Sequence, residues 1–566
     1  FYNGGYDLPS GIELYAFGGF GRRAGTSAGF FRRADDDRTV RALWPGGFLP
    51  LINSTIYDLS TTAGVRGTVA GVRYDLSSGI GGNSFRFDVD NSNNVSLGSA
   101  SPRNFYAGTL VYRQWSNTLD LAREFTLGAS GIALRATAGA EYRHDGYRIQ
   151  QGELASYVAG DSAIRDANGV ARTTKDASGN VIPLKGAPGS QVFPGFTPGD
   201  AGGHGRTNTA VYAGLESDLT RQLLVSGALR YEHYSDFGGT TTAQLASRYT
   251  VRRGLVIRGA YNTGFRAPSL QQSYYSATGT NFVNGVPFDI KTAPVGSAIA
   301  QVLGATPLTP EHSRNYSAGV ALEPLRRLAL TVDGYRIDIT DRIVLSENFT
   351  GPAVAAVLRP FNTTAARYFT NAIDTRTTGI DVVGNYGVSL RSAGFLTLTG
   401  GYNHNRTHAT VVKQTPAALG NQSETLFGRV ERSRIEEGQP RDNVLASATY
   451  ELRRFTAVLR TQRFGSVVSR STVDSLDQTF GAKWVSDVSA SYRPVPRLTL
   501  SVGADNVLDV YPDQNNKLGN PRFGSVGVAG PSGFSGNSNY GIFPYNQFSP
   551  FGFNGRFVYV RASVGL

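Results

Sequence analysis

The stretch Gly259–Leu270 constrains the fold of this chain more than any other segment. Just before and within it, apolar side chains such as Leu255 and Ile257 alternate with polar ones, which is the pattern of a half-buried β-strand. A tight turn at Val251–Gly254 precedes the strand, and a polar connection rich in Gly and Thr follows it to about Thr309. A short turn at one end of a strand and a long loop at the other is typical of transmembrane β-barrels.

Short and long connections alternate along most of the chain. The period-2 segments between them predict about 18 antiparallel strands. We therefore expect an all-β transmembrane antiparallel β-barrel that occupies residues 1–566 as a single domain. The short turns would lie on one side of the membrane and the long loops on the other.

Several local features are also predicted. Ile12–Phe20 and Gly25–Phe31 are expected to be two strands joined by a tight Gly-Arg-Arg turn. The segment 35–63 is expected to be a loop, and Gly64–Leu76 a single strand. The apolar residues change parity at Asp333-Gly334, which predicts a β-bulge there.

Composition excludes some classes of protein. The chain has no Cys, so a disulfide scaffold or a thiolate metal site is impossible. The net charge is +12, but the arginines are spread over strands and turns, and this distribution argues against nucleic-acid binding. Mean hydropathy is -0.22, and no apolar run approaches the length of a membrane helix.

Four motifs, in the same order, resemble those of TonB-dependent outer-membrane receptors. The stretch Gly264–Leu270 is similar to the Gly-Phe-Arg-Ala-Pro signature of that family. Arg230–Gly238 is similar to the family's hairpin before that signature, and Leu308–Gly319 is similar to the strand after it. Asp505–Asp509 is similar to the segment before the family's last strand. The final strand, ending at Leu566, resembles the C-terminal insertion signal of barrel proteins, although the family commonly ends in an aromatic residue.

The resemblance implies a receptor in the outer membrane of a Gram-negative bacterium that imports a scarce nutrient, such as a ferric siderophore or another large ligand. It implies contact with membrane lipid and lipopolysaccharide, and with the TonB energy-transducing complex through a plug domain. It implies no enzyme activity and no cofactor. Two alternatives remain open: a plugless, porin-like passive channel, and a structural or adhesive outer-membrane barrel.

The family barrel has about 22 strands around its plug, and this chain shows no counterpart of the plug or of the TonB-binding segment. A barrel without its first strands would expose two sheet edges to lipid. We therefore expect the partner of the last strand to lie upstream of Phe1, in a longer polypeptide. Within this chain, a gap is expected between the last strand and the strand that contains Tyr15.

Candidate site residues fall into three groups. The first is the family motif, which either shapes the backbone at a strand end or contacts the ligand. It consists of Gly264, Phe265, Arg266, Ala267 and Pro268. The second group has lumen parity, and its side chains either hold a plug or pair with one another across strands. Its members are Arg230, Glu232, Arg258 and Asn262.

The third group lies in the aromatic-rich connection before the last strand. Aromatic faces above a pore can hold a ligand, and they can equally form an interfacial ring. The candidates are Tyr540, Phe543, Tyr545 and Phe548. We predict no metal site, because the pair His404 and His408 has metal-binding spacing only on a helix. No grouping of catalytic residues stands out in the sequence.

Overall fold

A computed structural model of the chain describes residues 1–127, 131–166, 168–175, 179–283, 286–361, 363–416, 426–470, 474, 477–515, 544–546 and 549–565. The strands, in chain order, are β1 (Tyr2–Asp7), β2 (Glu13–Ala28), β3 (Leu51–Val69), β4 (Val72–Asp90), β5 (Phe105–Leu127), β6 (Ile132–Gln150), β7 (Thr173–Lys175), β8 (Val181–Pro183), β9 (Gly202–Asp218), β10 (Leu223–Tyr234), β11 (Gly238–Arg252), β12 (Leu255–Arg266), β13 (Ala277–Val283), β14 (Val286–Thr292), β15 (Glu311–Leu325), β16 (Leu328–Leu345), β17 (Ala366–Arg367), β18 (Phe369–Ser389), β19 (Phe395–Val412), β20 (Asp442–Leu452), β21 (Phe455–Phe464), β22 (Val467–Ser469), β23 (Gln478–Phe480), β24 (Lys483–Val495), β25 (Leu498–Asp505) and β26 (Phe557–Val564). The α-helices are α1 (Leu270–Tyr274), α2 (Ala298–Val302), α3 (Pro352–Leu358) and α4 (Arg429–Glu436).

The long strands form one antiparallel sheet of 19 strands, which is the wall of a β-barrel. Seven short strands stand outside it: β7, β8, β13, β14, β17, β22 and β23. Each wall strand pairs with its neighbour in the chain, so the wall is a meander. The barrel fold predicted from the sequence is confirmed, with one strand more than the 18 or so expected.

The two faces of the wall differ in polarity. On the outer face large apolar side chains are exposed, as at Ile257 and at Tyr261, whose ring lies 5.0 Å from that of Tyr316. On the lumen face of the same strands, Arg258 Nε lies 2.8 Å from Asp333 Oδ1. This division is the expected result of period-2 strands that separate lipid from a polar lumen.

The first predicted hairpin is wrong. Residues Glu13 to Ala28 form the single strand β2, and its register against β3 continues without interruption through Gly21, Arg22 and Arg23. Arg23 Nη2 lies 2.9 Å from Asp58 Oδ2 on the neighbouring strand. This cross-strand ion pair shows that the Gly-Arg-Arg sequence continues the ladder.

Two further local predictions are wrong: a segment predicted to be a loop contains the start of a strand, and a segment predicted to be a strand contains a turn. Strand β3 begins at Leu51, well inside the segment that was predicted to be a loop. Gly64–Leu76 is not one strand, since it turns at Ala70 and Gly71, whose φ angles are 50° and 76°. Backbone in this left-handed region reverses a chain tightly and matches the twist of a hairpin.

The bulge predicted at Asp333-Gly334 is also wrong. Strand β16 pairs in regular register with β15 and β18 through both residues, and its irregularity lies at Ile339/Arg342. Arg336 therefore faces outward while Ile337 faces the lumen. The outer face stops being apolar toward the long-loop end of the wall, which is why the apolar parity of the sequence changes without a bulge.

The long loops build an ordered roof over one end of the wall, called here the long-loop end; the opposite end is the short-turn end. The roof contains the short strands, the four helices and a buried apolar cluster that includes Leu303, Phe349, Leu358 and Tyr368. Tyr368 Oη donates a hydrogen bond of 3.1 Å to the main-chain oxygen of Leu303. These loops are therefore packed against one another.

The two outermost strands of the wall have one partner each. Strand β1 pairs with β2, and β26 pairs with β25. Within the described ranges, no ladder joins β26 to β1 or β2. In the described part of the chain, no helix is long and apolar enough to cross a membrane.

Candidate functional site

The motif Gly264–Pro268 lies where the wall meets the roof. Arg266 Nη2 lies 2.6 Å from Glu311 Oε1 on the adjacent strand β15. Pro268 is buried and directly precedes Ser269, whose side chain caps helix α1 in a capping box with Gln272. The motif thus ends strand β12 and starts the first helix of the roof.

The other residues of the motif have close neighbours as well. A Cβ on Gly264 would lie 2.8 Å from Ser313 Oγ, so a larger residue there would displace the neighbouring side chain. The Phe265 ring meets the ring of Tyr234 edge-on, with centroids 5.9 Å apart. Ala267 is half-buried. These contacts lie within the protein, and direct ligand contact by the motif remains a prediction.

A network of charged residues faces the lumen on β6, β9 and β10. Its members are Glu141, Arg143, Asp145, Arg206, Arg230 and Glu232. Arg230 Nε lies 2.6 Å from Glu232 Oε1, and Arg230 Nη2 lies 2.7 Å from Glu141 Oε2. Asp145 Oδ2 lies 3.3 Å from Arg206 Nε and 3.4 Å from Arg143 Nε. Three guanidinium groups and three carboxylates therefore pair across three strands, and Arg206 Nη1 also lies 3.7 Å from Oδ2 of Asp236, just beyond the end of β10.

Neutral side chains complete this lumen network. Tyr234 Oη donates to Glu232 Oε2 over 3.1 Å and accepts from Arg143 Nη2 over 3.0 Å. Asn208 Nδ2 also donates to Glu232 Oε2, over 3.1 Å. Asp145 is 2% exposed and Arg206 is 8% exposed, so these charges are largely removed from solvent. Buried charges of this kind require partners, because each unpaired one costs several kcal/mol.

The lumen network reaches the family motif directly. Arg206 Nη1 donates a hydrogen bond of 2.6 Å to the main-chain oxygen of Pro268. Of the predicted lumen residues, Arg230 and Glu232 belong to the network, while Arg258 pairs with Asp333. Asn262 Oδ1 accepts a 2.6 Å hydrogen bond from Asn315 Nδ2. All four have partners within the wall, and their role in holding a plug remains a prediction.

The roof contains a second group of arginines around helix α4. A cavity of about 220 Å³ is lined by Arg434 and Arg470 together with Val467 and Gln439. Arg470 forms a bidentate pair with Glu437, with Nε–Oε2 at 2.6 Å and Nη2–Oε1 at 3.0 Å. Hydrogen bonding to this guanidinium holds the pKa of Glu437 below its usual range. The pair fixes one arginine of the cavity in place.

The aromatic candidates lie mostly outside the described residues. This is the case for Tyr540, Phe543 and Phe548. Tyr545 is described, and its ring stacks between Tyr511 at 5.9 Å and Phe553 at 5.6 Å. Ligand binding by these aromatic residues is untested.

A polar groove of about 690 Å³ lies on the outer face of the wall, near the long-loop end. Its Arg and Asp side chains, on three adjacent strands, are Arg314, Arg336, Arg376, Asp338 and Asp374. Asp338 pairs with two of these arginines, with Arg336 Nε at 2.8 Å and Arg376 Nε at 2.6 Å. Arg314 has no hydrogen-bond or ion-pair partner among the described residues. The groove therefore carries excess positive charge.

Sequence reasoning missed most of these residues. Arg143, Asp145 and Arg206 occupy lumen positions of strands β6 and β9, and assigning parity along those strands would have identified them. Helix α4 lies in the long connection between β19 and β20. Its sequence, RVERSRIE, alternates acids and bases at helical spacing, as at Arg432 and Glu436. Among the described residues, no group of three His, Asp or Glu side chains could hold a metal ion.

Solved structures of two siderophore receptors and of an outer membrane transporter share this architecture. A mutant of the ferric enterobactin receptor PfeA from Pseudomonas aeruginosa superposes with a TM-score of 0.60 at 14% identity, over 99% of this chain and 68% of that chain. The siderophore receptor PirA from Acinetobacter baumannii gives 0.55 at 12% identity, over 99% and 76%. The outer membrane transporter YddB from Escherichia coli gives 0.57 at 10% identity, over 99% and 74%. At these identities the similarity establishes the fold and not a shared ligand.

Comparison with curated protein sequences gives no match. Comparison with protein families gives a match to the family described as TonB dependent receptor-like, beta-barrel, over residues 5–507. The matched range includes the Gly264–Pro268 motif, the lumen network and all wall strands except β26 and the first half of β1. The chain therefore belongs to the TonB-dependent receptor β-barrel family.

Proposed function

We propose that the chain is the barrel of an outer-membrane receptor that imports a large anionic ligand, such as a ferric siderophore, in a TonB-dependent manner. The family assignment supports import by a receptor rather than enzyme catalysis. The solved neighbours include a ferric enterobactin receptor and a siderophore receptor, which suggests the ligand class. In this proposal the ligand binds at the long-loop end, outside the cell.

The observation that carries the choice of an anionic ligand is the arginine-lined cavity beside α4. Arg434 and Arg470 line it, and both are held in place by carboxylates: Arg434 by Glu431, and Arg470 by Glu437 and Asp477. A guanidinium group presents several N–H donors in a fixed plane, which suits the carboxylate and catecholate oxygens of iron chelates. A cation already fixed in position loses little side-chain entropy when an anion binds.

Binding by cells that express the complete protein tests this proposal. Two probes would be compared: ferric enterobactin, a triscatecholate anion, and a neutral ferric trihydroxamate. We expect saturable binding of the anionic probe and a loss of about ten-fold in affinity for Arg434→Ala, since a charge-assisted hydrogen bond contributes roughly 1.5 kcal/mol or more. The matched control is Arg432→Ala on the same helix, whose guanidinium pairs with Glu436 and is not among the cavity-lining residues. Equal binding of both probes, or equal effects of both substitutions, would contradict an anionic ligand at this cavity.

The passive-channel alternative makes a different electrical prediction. A gated receptor should show little conductance at rest because a plug fills its lumen. A porin-like channel should show a large and constant conductance. Planar-bilayer recordings of the complete protein therefore separate the two, and a constantly open pore would refute the gated receptor.

We further propose that additional strands complete the wall between β26 and β1. Neighbouring strands in the 19-stranded sheet run antiparallel, so its first and last strands run in the same direction. Two such strands cannot pair antiparallel with each other. Closure therefore needs an odd number of added strands, which gives the even total found in bacterial barrels. An upstream segment that also carries the plug would supply them.

The outer groove supports the proposed contact with lipopolysaccharide. Arg314, Arg336 and Arg376 lie at the end of the wall that would face the outside of the cell. Tyr316, on the same strand as Arg314 and nearer to the apolar belt, marks the boundary with lipid. The groove would thus lie at the depth of the phosphorylated sugars of the outer leaflet.

A further inference from the structure

Seven arginines line one half of the short-turn end of the wall, and we call them the arginine arc. They are Arg253, Arg326, Arg327, Arg391, Arg453, Arg454 and Arg497. They lie in five successive short connections, which join β11 to β12, β15 to β16, β18 to β19, β20 to β21 and β24 to β25. All seven are exposed. On the other half of the rim, the short connections from β1 to β10 contribute one arginine, Arg221.

The arc is not neutralised by the protein. Within the part of the chain that the structure describes, none of the seven forms a salt bridge. Two of them contact neutral groups: Arg454 Nη1 donates to the main-chain oxygen of Pro494, and the Arg327 guanidinium lies 5.5 Å from the centre of the Phe395 ring. Seven like charges on neighbouring turns would repel one another without an anionic partner.

Three residues of the arc have a backbone conformation that favours glycine. The φ angles of Arg327, Arg391 and Arg453 are 68°, 55° and 53°. Glycine or asparagine would adopt this left-handed region at lower cost than arginine. Arginine at three such positions therefore indicates that the side chain itself has a use, because local backbone preference argues against it.

The depth of the arc points to its partner. A ring of exposed aromatic residues lies on the outer face at this end of the wall, and it includes Tyr386, Phe455 and Tyr492. Phe455 directly follows Arg454, so the arginine lies about 3 Å further along the chain than the ring residue. Aromatic rings of this kind mark the edge of the hydrocarbon region, and cations just beyond them lie among the lipid headgroups.

We propose that the arginine arc binds the phosphates of anionic phospholipids in the leaflet at the short-turn end. This inference rests on the proposed location of the barrel in a membrane. The lipid is favoured over an acidic protein because the arc follows the rim at headgroup depth and does not surround a pocket. Contact with one half of the rim only would gather anionic lipid on that side of the barrel.

Native mass spectrometry of the complete protein in detergent tests the proposal, with phosphatidylglycerol and phosphatidylcholine of the same acyl chains as probes. We expect phosphatidylglycerol to bind more tightly, and the preference to weaken as salt screens the charges. Replacing Arg326, Arg327, Arg453 and Arg454 with Gln should abolish the preference, at about five-fold for each arginine that reaches a phosphate. The same four positions as Lys should retain most of it, because the charge remains.

A matched control replaces four other exposed arginines with Gln. These are Arg22, Arg113, Arg148 and Arg406, which lie on the outer face toward the long-loop end and form no salt bridge within the described ranges. This variant should keep the preference for phosphatidylglycerol. Equal losses in the two Gln variants would overturn the proposal, because charge alone and not position would then decide lipid binding.

Two more results would also overturn it. A preference for phosphatidylglycerol that survives the four Gln substitutions in the arc would leave the arc to a partner other than lipid. Failure of the protein to float with phosphatidylcholine vesicles would contradict the membrane location itself, and with it the proposed function. Vesicle flotation of the Gln variant therefore distinguishes a lost lipid site from a barrel that no longer inserts.

Discussion

Arg206 and Pro268 join the wall of the barrel to its roof: the guanidinium Nη1 of Arg206 donates a 2.6 Å hydrogen bond to the main-chain oxygen of Pro268. The same guanidinium pairs with Asp145, which is 2% exposed. A single side chain thus connects the Gly264–Pro268 motif to the lumen network. The motif is positioned by a residue about sixty positions earlier in the chain.

Replacing Arg206 with Ala should destabilise this junction. The substitution leaves the Pro268 oxygen without its donor and removes one of the two arginines that pair with Asp145. We expect a loss of about 3 kcal/mol in the free energy of unfolding, since a buried ion pair is broken. Denaturant titration of the folded barrel, followed by its heat-modifiable electrophoretic mobility, measures this loss.

The control for this prediction is Arg148→Ala on strand β6. Arg148 is exposed on the outer face and has no ion pair within the described residues. Its removal should change the free energy of unfolding by less than about 0.5 kcal/mol. Equal effects of the two substitutions would show that the bond between Arg206 and Pro268 does not stabilise the junction.

The roof should loosen in acid through Asp200. Burial raises the pKa of its carboxyl, but Lys291, Ser276 and Thr197 outweigh this and hold the pKa below its usual range. A carboxyl with a lowered folded pKa stabilises the fold above its unfolded pKa of about 3.9, and this contribution is lost as pH falls through the folded value. Hydrogen-exchange protection of segments 197–201 and 286–292 should therefore be lower at pH 3 than at pH 6.

Asp200→Asn provides the matched control for the acid effect. The amide keeps the size of the side chain but cannot form the ion pair with Lys291. Its segments should be less protected than wild type at pH 6, and the pH 3 values should match those of wild type. An unchanged dependence on pH in the variant would assign the effect to other carboxyl groups.

Much of the fold can be predicted from the sequence, because the strands of a barrel alternate between residues facing lipid and residues facing the lumen. Period-2 alternation and tight turns such as Leu452–Arg454 set the strands, and their registers follow from the turns. The first hairpin was mispredicted because Gly21 and two arginines look like a turn, whereas the ladder to β3 and the pair between Arg23 and Asp58 carry the strand through. Tertiary pairing overrode the local signal there.

The candidate site follows from the sequence only in part. Arg230 and Glu232 were assigned to the lumen by parity, but Glu141, which pairs with Arg230, lies 89 residues earlier in the chain. Strand alternation gives the face of a residue and not its neighbour two strands away. The apolar residues Ile337 and Ile339 led to the wrong prediction of a bulge in β16. They face the lumen, and the outer face of the wall becomes polar where the strand extends beyond the aromatic residues.

The glycine at 319 should not tolerate a methyl group. A Cβ there would lie 1.9 Å from Asp333 Oδ1, the oxygen that pairs with Arg258. Gly319→Ala should displace this carboxylate and lower the free energy of unfolding by about 1–3 kcal/mol. Gly400→Ala is the control, since a Cβ at that strand position meets nothing within 4 Å. Equal unfolding midpoints of the two variants would argue against the close approach at Gly319.

The outer groove should hold lipopolysaccharide on the purified receptor. Arg314→Ala with Arg336→Ala removes two cations from it, and the lipopolysaccharide that copurifies should fall about ten-fold or more. Quantifying bound lipid A by mass spectrometry measures this fall. Arg86→Ala is the control, because that outward arginine pairs with Asp88 as Arg336 pairs with Asp338 but does not line the groove. Equal lipid content in all three proteins would exclude the groove as a lipid site.

The two edges of the wall should be too far apart to be joined by a disulfide. One intervening strand separates two Cα atoms by about 9.6 Å, and a disulfide needs less than about 7 Å. The chain has no native Cys, so any disulfide that forms within it must join the introduced cysteines. Gly4→Cys on β1, where a Cβ meets nothing within 4 Å, should form no bond with Cys at Val558, Val560 or Ala562 on β26.

A positive control for this test joins two strands that do pair. Val502 and Val560 are direct partners in the ladder between β25 and β26, so Val502→Cys with Val560→Cys should be oxidised readily. Electrophoretic mobility before and after reduction reports both results in the complete, membrane-inserted protein. A disulfide between Gly4→Cys and any of the three β26 positions would place β1 beside β26, and the proposed intervening strands would then be wrong.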